Sequence, residues 1–121
     1  MAVTVTNQTS PLGSKLVQDT TAGGTAVDNT TGASGVLYMV EIDNTNNGAI
    51  SYLKMANSTN ATAGTTAADL CLFCPGSAKR SYVFPEGITF STGFSHWCVA
   101  EKAESNTTGP SAAVSVRYVT T

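Results

Sequence analysis

Three cysteines and a single histidine are the side chains best suited to chemistry, and they fall in two short stretches, Cys71-Leu72-Phe73-Cys74 and His96-Trp97-Cys98. Cys-x-x-Cys with two further soft ligands is the common arrangement of structural zinc, so Cys71, Cys74, His96 and Cys98 are the candidate metal ligands. The spacing restrains that reading. On an extended strand, residues three apart point to opposite faces, so Cys71 and Cys74 converge only where Pro75 turns Cys74 out of the strand. His96 and Cys98 share a face with Phe94 and Ala100, the pattern of an ordinary core. Buried free thiols are therefore the default, and no metal or cofactor is expected. A disulfide from Cys98 to Cys71 or Cys74 stays open, on condition that the Cα atoms come within about 7 Å.

Other reaction chemistries find less support. A blue-copper site needs two histidines beside its cysteine, and His96 is alone. A Ser-His-Asp hydrolase would rest on that same residue, and no Gly-x-Ser-x-Gly elbow occurs. The carboxylates are Asp19, Asp28, Glu41, Asp43, Asp69, Glu86, Glu101 and Glu104, and no two form a spaced acid–base pair. The phosphate-cradling Gly-x-x-x-x-Gly-Lys-[Ser/Thr] pattern is missing. Asp43, Asn44 and Asn46 offer oxygen ligands to calcium, but their spacing is not that of an EF-hand loop, and such clusters ordinarily make turns. Trp97, Tyr38, Tyr52, Tyr82 and Tyr118 could stack on sugars, as in a carbohydrate-binding module. Most of them alternate with apolar residues, however, and read as core or interface. No catalytic residue is assigned, and an enzyme is not expected.

What must position these side chains is a β framework. The 121 residues include 19 Thr, 12 Ser, 8 Asn and 11 Gly, and only 12% are charged, which excludes a helical bundle or coiled coil. The clearest strand is Val36 to Ile42, with Val36, Tyr38, Val40 and Ile42 on one face and Leu37, Met39 and Glu41 on the other. Asn47-Gly48 then predicts a tight reversal, with Ala49 to Met55 returning as the hairpin partner. Further strands are expected at Asp69 to Phe73, Arg80 to Phe84, Ile88 to Ser91, Phe94 to Ala100 and Ala112 to Val119. Val3 to Thr6 and Lys15 to Gln18 are weaker. Residues 56–68 and 101–110 read as polar surface loops, the usual place for binding. About eight short strands argue an all-β, two-sheet antiparallel sandwich of jelly-roll or Greek-key type.

The chain is expected to be one domain, with residues 1–34 as an N-terminal arm and Gly/Thr-rich segment and residues 35–121 as the sandwich core. The Asp19 to Ser34 segment is expected to order on a neighbour. A net charge of −2 with scattered basic residues disfavours nucleic acid, and no apolar run is long enough to span a membrane. Residues 1–6 lack the basic-then-apolar pattern of a secretory signal, so the free thiols fit assembly in a cytoplasm. A rather lean apolar fraction of 41% points to stabilisation by partners and to self-association.

The segment Gly35 to Asn44, then Ser51-Tyr52-Leu53-Lys54, then Phe84 to Ser95, with the closing Ala113 to Tyr118 strand, resembles small β-sandwich virion proteins of tailed phages, particularly those of aquatic bacteria such as cyanobacteria. The likeness runs from Gly35 onward and leaves the first 34 residues unmatched. It implies a capsid decoration or cement protein, a homo-oligomer with a trimer favoured. Such a protein is assembled in the host cytoplasm and sits on the virion capsid surface, where it clamps neighbouring copies of the major capsid protein. A tail- or fibre-associated protein would share the fold. Under this reading the Asp19 to Ser34 segment or the N-terminal arm is the capsid or neighbour contact, and removal of residues 1–18 is expected to abolish capsid binding while sparing the β fold.

Overall fold

The computed structural model describes residues 3–7 and 13–121. Eight antiparallel strands form among these residues: β1 (Val3–Asn7), β2 (Lys15–Ala22), β3 (Gly35–Asp43), β4 (Ser51–Asn57), β5 (Leu70–Cys74), β6 (Lys79–Phe90), β7 (Phe94–Val99) and β8 (Val114–Thr120). Five make a sheet in the order β1-β2-β8-β3-β6, and three make a second in the order β5-β4-β7. The chain is thus the expected all-β sandwich. Its last strand runs between β2 and β3, and the connections after β3, β5, β6 and β7 each cross from one sheet to the other, a Greek-key type of winding.

The core forms where the alternating apolar faces meet. Val17, Val40, Ile42, Val114 and Val116 of the larger sheet pack on Leu53, Met55, Phe94 and Cys98 of the smaller. Each such side chain contributes roughly 1.5–3 kcal/mol when fully buried. In β3 the strict alternation fails. A register shift between Leu37 and Met39 turns Leu37 into the core beside Val40 and Ile42, whereas the pattern had put Leu37 on the opposite face. One extra residue in a strand exchanges its faces.

The expected hairpin after β3 does not form. Both sides of β3 are occupied, by β8 and β6, so the chain crosses over, and β4 pairs with β5 and β7 instead. Neither Asn47 nor Gly48 takes a positive φ. The corner is built from buried amides. Asn44 Nδ2 donates to the carbonyls of Ala49 (2.9 Å), Cys74 (3.1 Å) and Pro75 (3.1 Å), while its Oδ1 accepts from Asn47 Nδ2 (2.9 Å) and Ser51 Oγ (3.0 Å). Asn47 in turn brackets Ala112, accepting its N–H at 2.7 Å and donating to its carbonyl at 3.0 Å.

Two predicted strands fuse into β6. Its pairing with β3 runs Val83 to Met39 and then Ile88 to Leu37, so Phe84 to Gly87 bulge out opposite Tyr38 alone. Gly87, at φ +78°, is needed there, since a Cβ would come within 2.1 Å of Val36 Cγ1.

Residues 3–7 and 13–34 are woven into the sandwich. β2 lies between β1 and β8, with Val17 and Asp19 buried, so removing residues 1–18 would strip a core side chain together with the arm. Residues 23–30 order on the chain's own β7 and need no neighbour. Cys98 N–H donates to Gly23 O, Val27 and His96 exchange two bonds, and Thr30 N–H reaches Phe94 O. The two polar loops also turn inward. Ala61, Ala63 and Ala68 pack with Trp97 and Val99 on the outer face of the smaller sheet, and Lys54, buried there, donates to Ala103 O at 2.6 Å.

Asn44→Ala should cost roughly 2–3 kcal/mol by denaturant titration, because it orphans several buried groups at once. Exposed Asn46→Ala should stay within about 0.5 kcal/mol.

Candidate functional site

The ionisable groups brought closest together lie between the sheets. Asp19 on β2 and Tyr118 on β8 point from the larger sheet, and His96 on β7 meets them from the smaller one. All three are 0% exposed. His96 Nε2 lies 2.8 Å from Asp19 Oδ2, and Nδ1 lies 2.9 Å from the Tyr118 hydroxyl. Tyr118 also bonds Thr30 Oγ1, which reaches the Phe94 carbonyl at 2.9 Å. The second Asp19 oxygen accepts from the Thr21 N–H at 2.9 Å.

The contacts form one continuous chain of hydrogen bonds. Asp19 Oδ2 meets Nε2, Nδ1 meets the Tyr118 hydroxyl, and the hydroxyl meets Thr30 Oγ1, which donates to the Phe94 carbonyl. Burial by itself would raise the Asp19 carboxyl, but the His96 and Thr21 bonds and the His96 charge outweigh it and hold the group below its ordinary value of 3.8. Burial pushes the Tyr118 phenol up.

Carboxylate, imidazole and hydroxyl stand in the order of a hydrolase triad, but the hydroxyl belongs to tyrosine and no member touches solvent. The constellation therefore cannot meet a substrate. It can join two sheets. Removing one partner of such a buried pair strands the other charge, at a cost of about 3–5 kcal/mol.

The four sequence-derived zinc candidates do not converge. His96 has both nitrogens engaged, and Cys71 is exposed on the outer face of β5, opposite Lys54. Cys74 and Cys98 share the core, but β4 separates their strands. Two strand spacings amount to ~9.6 Å, beyond disulfide reach. All three thiols are free. Burial raises each of them, Cys98 to about 12, so at neutral pH none is a ready thiolate. Among the described residues, no three His, Cys, Asp or Glu side chains are placed to hold a metal.

The other candidates are likewise absorbed. Asp43 accepts from Thr45 N–H and Oγ1 at 3.1 and 2.6 Å, an Asx turn, while Asn44 points inside and Asn46 outside. Trp97 and Tyr118 are buried and cannot stack on a sugar. An open cleft of about 560 Å³ lies between Gly24–Asp28 and Ala61–Ala63. Its carboxylate, Asp28, accepts the Ala61 N–H at 2.8 Å and so braces the loop.

Asp19 and Thr30 are the members that sequence reasoning missed. The signal for Asp19 was an acid two residues after Val17, at a core-facing position of a strand. Thr30 carried none.

In comparisons with known proteins, no family model, no curated protein and no solved structure matches this chain. Function has to be argued from its residues.

Asp19→Ala should lower stability by about 3–5 kcal/mol, and Tyr118→Phe by roughly 1–3 kcal/mol. The Asp19 carboxyl takes its proton at lower pH folded than unfolded, so its stabilisation is complete above the unfolded value near 3.8 and lost as pH falls through the folded one. Asp19→Asn should flatten that acid limb in urea titrations.

Proposed function

We propose that the chain is a non-enzymatic structural protein of a tailed-phage virion, a decoration or cement protein that acts as a homo-oligomer on the capsid surface and clamps neighbouring major capsid subunits. The observation that carries the reading is on the outer face of the larger sheet. Leu16, Val119, Met39 and Val83 stand in register across β2, β8, β3 and β6 as an apolar row in which Val119 is buried, Leu16 and Met39 are half-buried and Val83 comes to the surface at 58% exposure. Beside it runs a polar row, Gln18, Arg117, Glu41 and Ser81. An apolar strip with a polar flank is the composition of a protein–protein contact. The sealed triad and the packed-down loops support the same reading, since they leave a stiff, weakly charged body that offers shape rather than reactive groups. The resemblance of the Gly35-to-Tyr118 stretch to phage virion proteins supplies the partner, and the host cytoplasm is the place of assembly.

The test is to add purified protein to DNA-filled heads that lack it and to sediment the mixture. Near one copy per capsid subunit is expected, with heads that better resist heating. Val83→Asp should weaken attachment about tenfold or more while leaving the β circular dichroism unchanged. A handful of copies per particle would place the protein on the tail, and glycan binding by the monomer would replace the reading altogether.

A further inference from the structure

The two sheets present four outer edges, and three of them carry a cover, a cap or an obstruction. Residues 23–30 line β7. The edge of β5 meets β6, where the Tyr82 hydroxyl donates to Phe73 O at 2.6 Å and the Arg80 guanidinium lies 4.5 Å from the Phe73 ring centre. β6 carries an exposed Lys79, a Pro85 without an N–H, the charge of Glu86 and the Phe84–Gly87 bulge, all of which obstruct strand addition.

β1 has no such guard. Val3-Thr4-Val5-Thr6-Asn7 contains no charge and no proline, and it pairs with β2 without a register shift. Among the described residues no strand lies on its other side. A strand held on one side only keeps a row of backbone donors and acceptors facing outward. Val5 adds an apolar component. It pairs with buried Val17 and so belongs to the core-facing side, yet it is 48% exposed, because the larger sheet overhangs the smaller one there.

We infer that β1 is a self-pairing edge: two copies of the chain join antiparallel along it and continue the larger sheet across a twofold axis. The axis falls at Thr4. That register sets Val3 of one copy opposite Val5 of the other, twice over, and Thr4 opposite Thr4 on the outer face. The neighbouring register, centred on Val5, sets Val3 against Asn7 and loses one apolar match. With no charge in the segment, a second copy meets no like charge. Because β1 pairs with the same strand of the second copy, the contact is isologous, uses up that edge on both chains and stops at two copies instead of growing into a fibre. A twofold pair thus takes the place of the trimer that the phage resemblance implies, and the inference stands whether or not the protein binds a capsid.

Sedimentation equilibrium of the full chain over a wide concentration range tests it. A two-chain mass is expected at high concentration. Val5→Lys should raise the dissociation constant about tenfold or more by setting charge into the new sheet, while Ile50→Lys, on a distant exposed residue, should leave it unchanged. Thr4→Cys in a Cys71→Ser background should crosslink two chains through a short bismaleimide, a readout that holds even if Val5→Lys fails to fold. A single-chain mass at every concentration, a trimer, a dimer indifferent to Val5→Lys in a folded protein, or a dimer that does not crosslink at position 4 would each overturn the inference.

Discussion

A carboxylate taken out of water has to be answered, and in this protein the answer comes from the other sheet. Asp19 is reached by His96 across the sandwich, and His96 is reached in turn by Tyr118. A hydrophobic core alone tolerates a sheet sliding over its partner, because one valine face is much like another. A buried carboxylate joined to an imidazole that is hydrogen-bonded at both ring nitrogens does not, since a shift of one residue would leave those polar groups unmatched. The relative placement of β2, β7 and β8 follows from that one contact. So does the course of residues 23–30, which run along β7 and bring Thr30 to the end of the network.

The same economy governs the rest of the polar side chains. A chain so rich in Asn, Ser and Thr and so poor in charge would be expected to spend those groups on solvent. Here many close the structure internally. Asn44 and Asn47 form the corner that lifts the chain from one sheet to the other, and Lys54 fastens the 100–113 connection from beneath. Alanines then let the other loop lie close on Trp97. The loops that looked like binding elements are a second, smaller core.

How much of this was legible in the sequence depended on the range of the interaction that decided it. Strand positions were readable because alternation is local, and so was the shared inward face of His96 and Cys98. Tyr118 lies two and four residues from Val116 and Val114, so the same alternation puts it on their core face. The bulges in β3 and β6 were not readable, since an extra residue is defined only against a paired strand. The Asn47-Gly48 turn was misread because its local preference yields to the two strands already flanking β3. The Asp19–His96 pair spans 77 residues, and no local pattern announces a partner that far away.

The position of β8 carries a consequence for how the molecule comes into being. It is made last of the eight strands, yet among the described residues it alone touches both β2 and β3. While a ribosome is still extending the chain, the larger sheet exists as two unjoined pieces with an empty slot between them, and Asp19 has no tyrosine-backed histidine to face. The larger sheet is therefore completed only once β8 has been added, and until then the nascent chain relies on its sparse apolar content and abundant small polar residues to stay unaggregated.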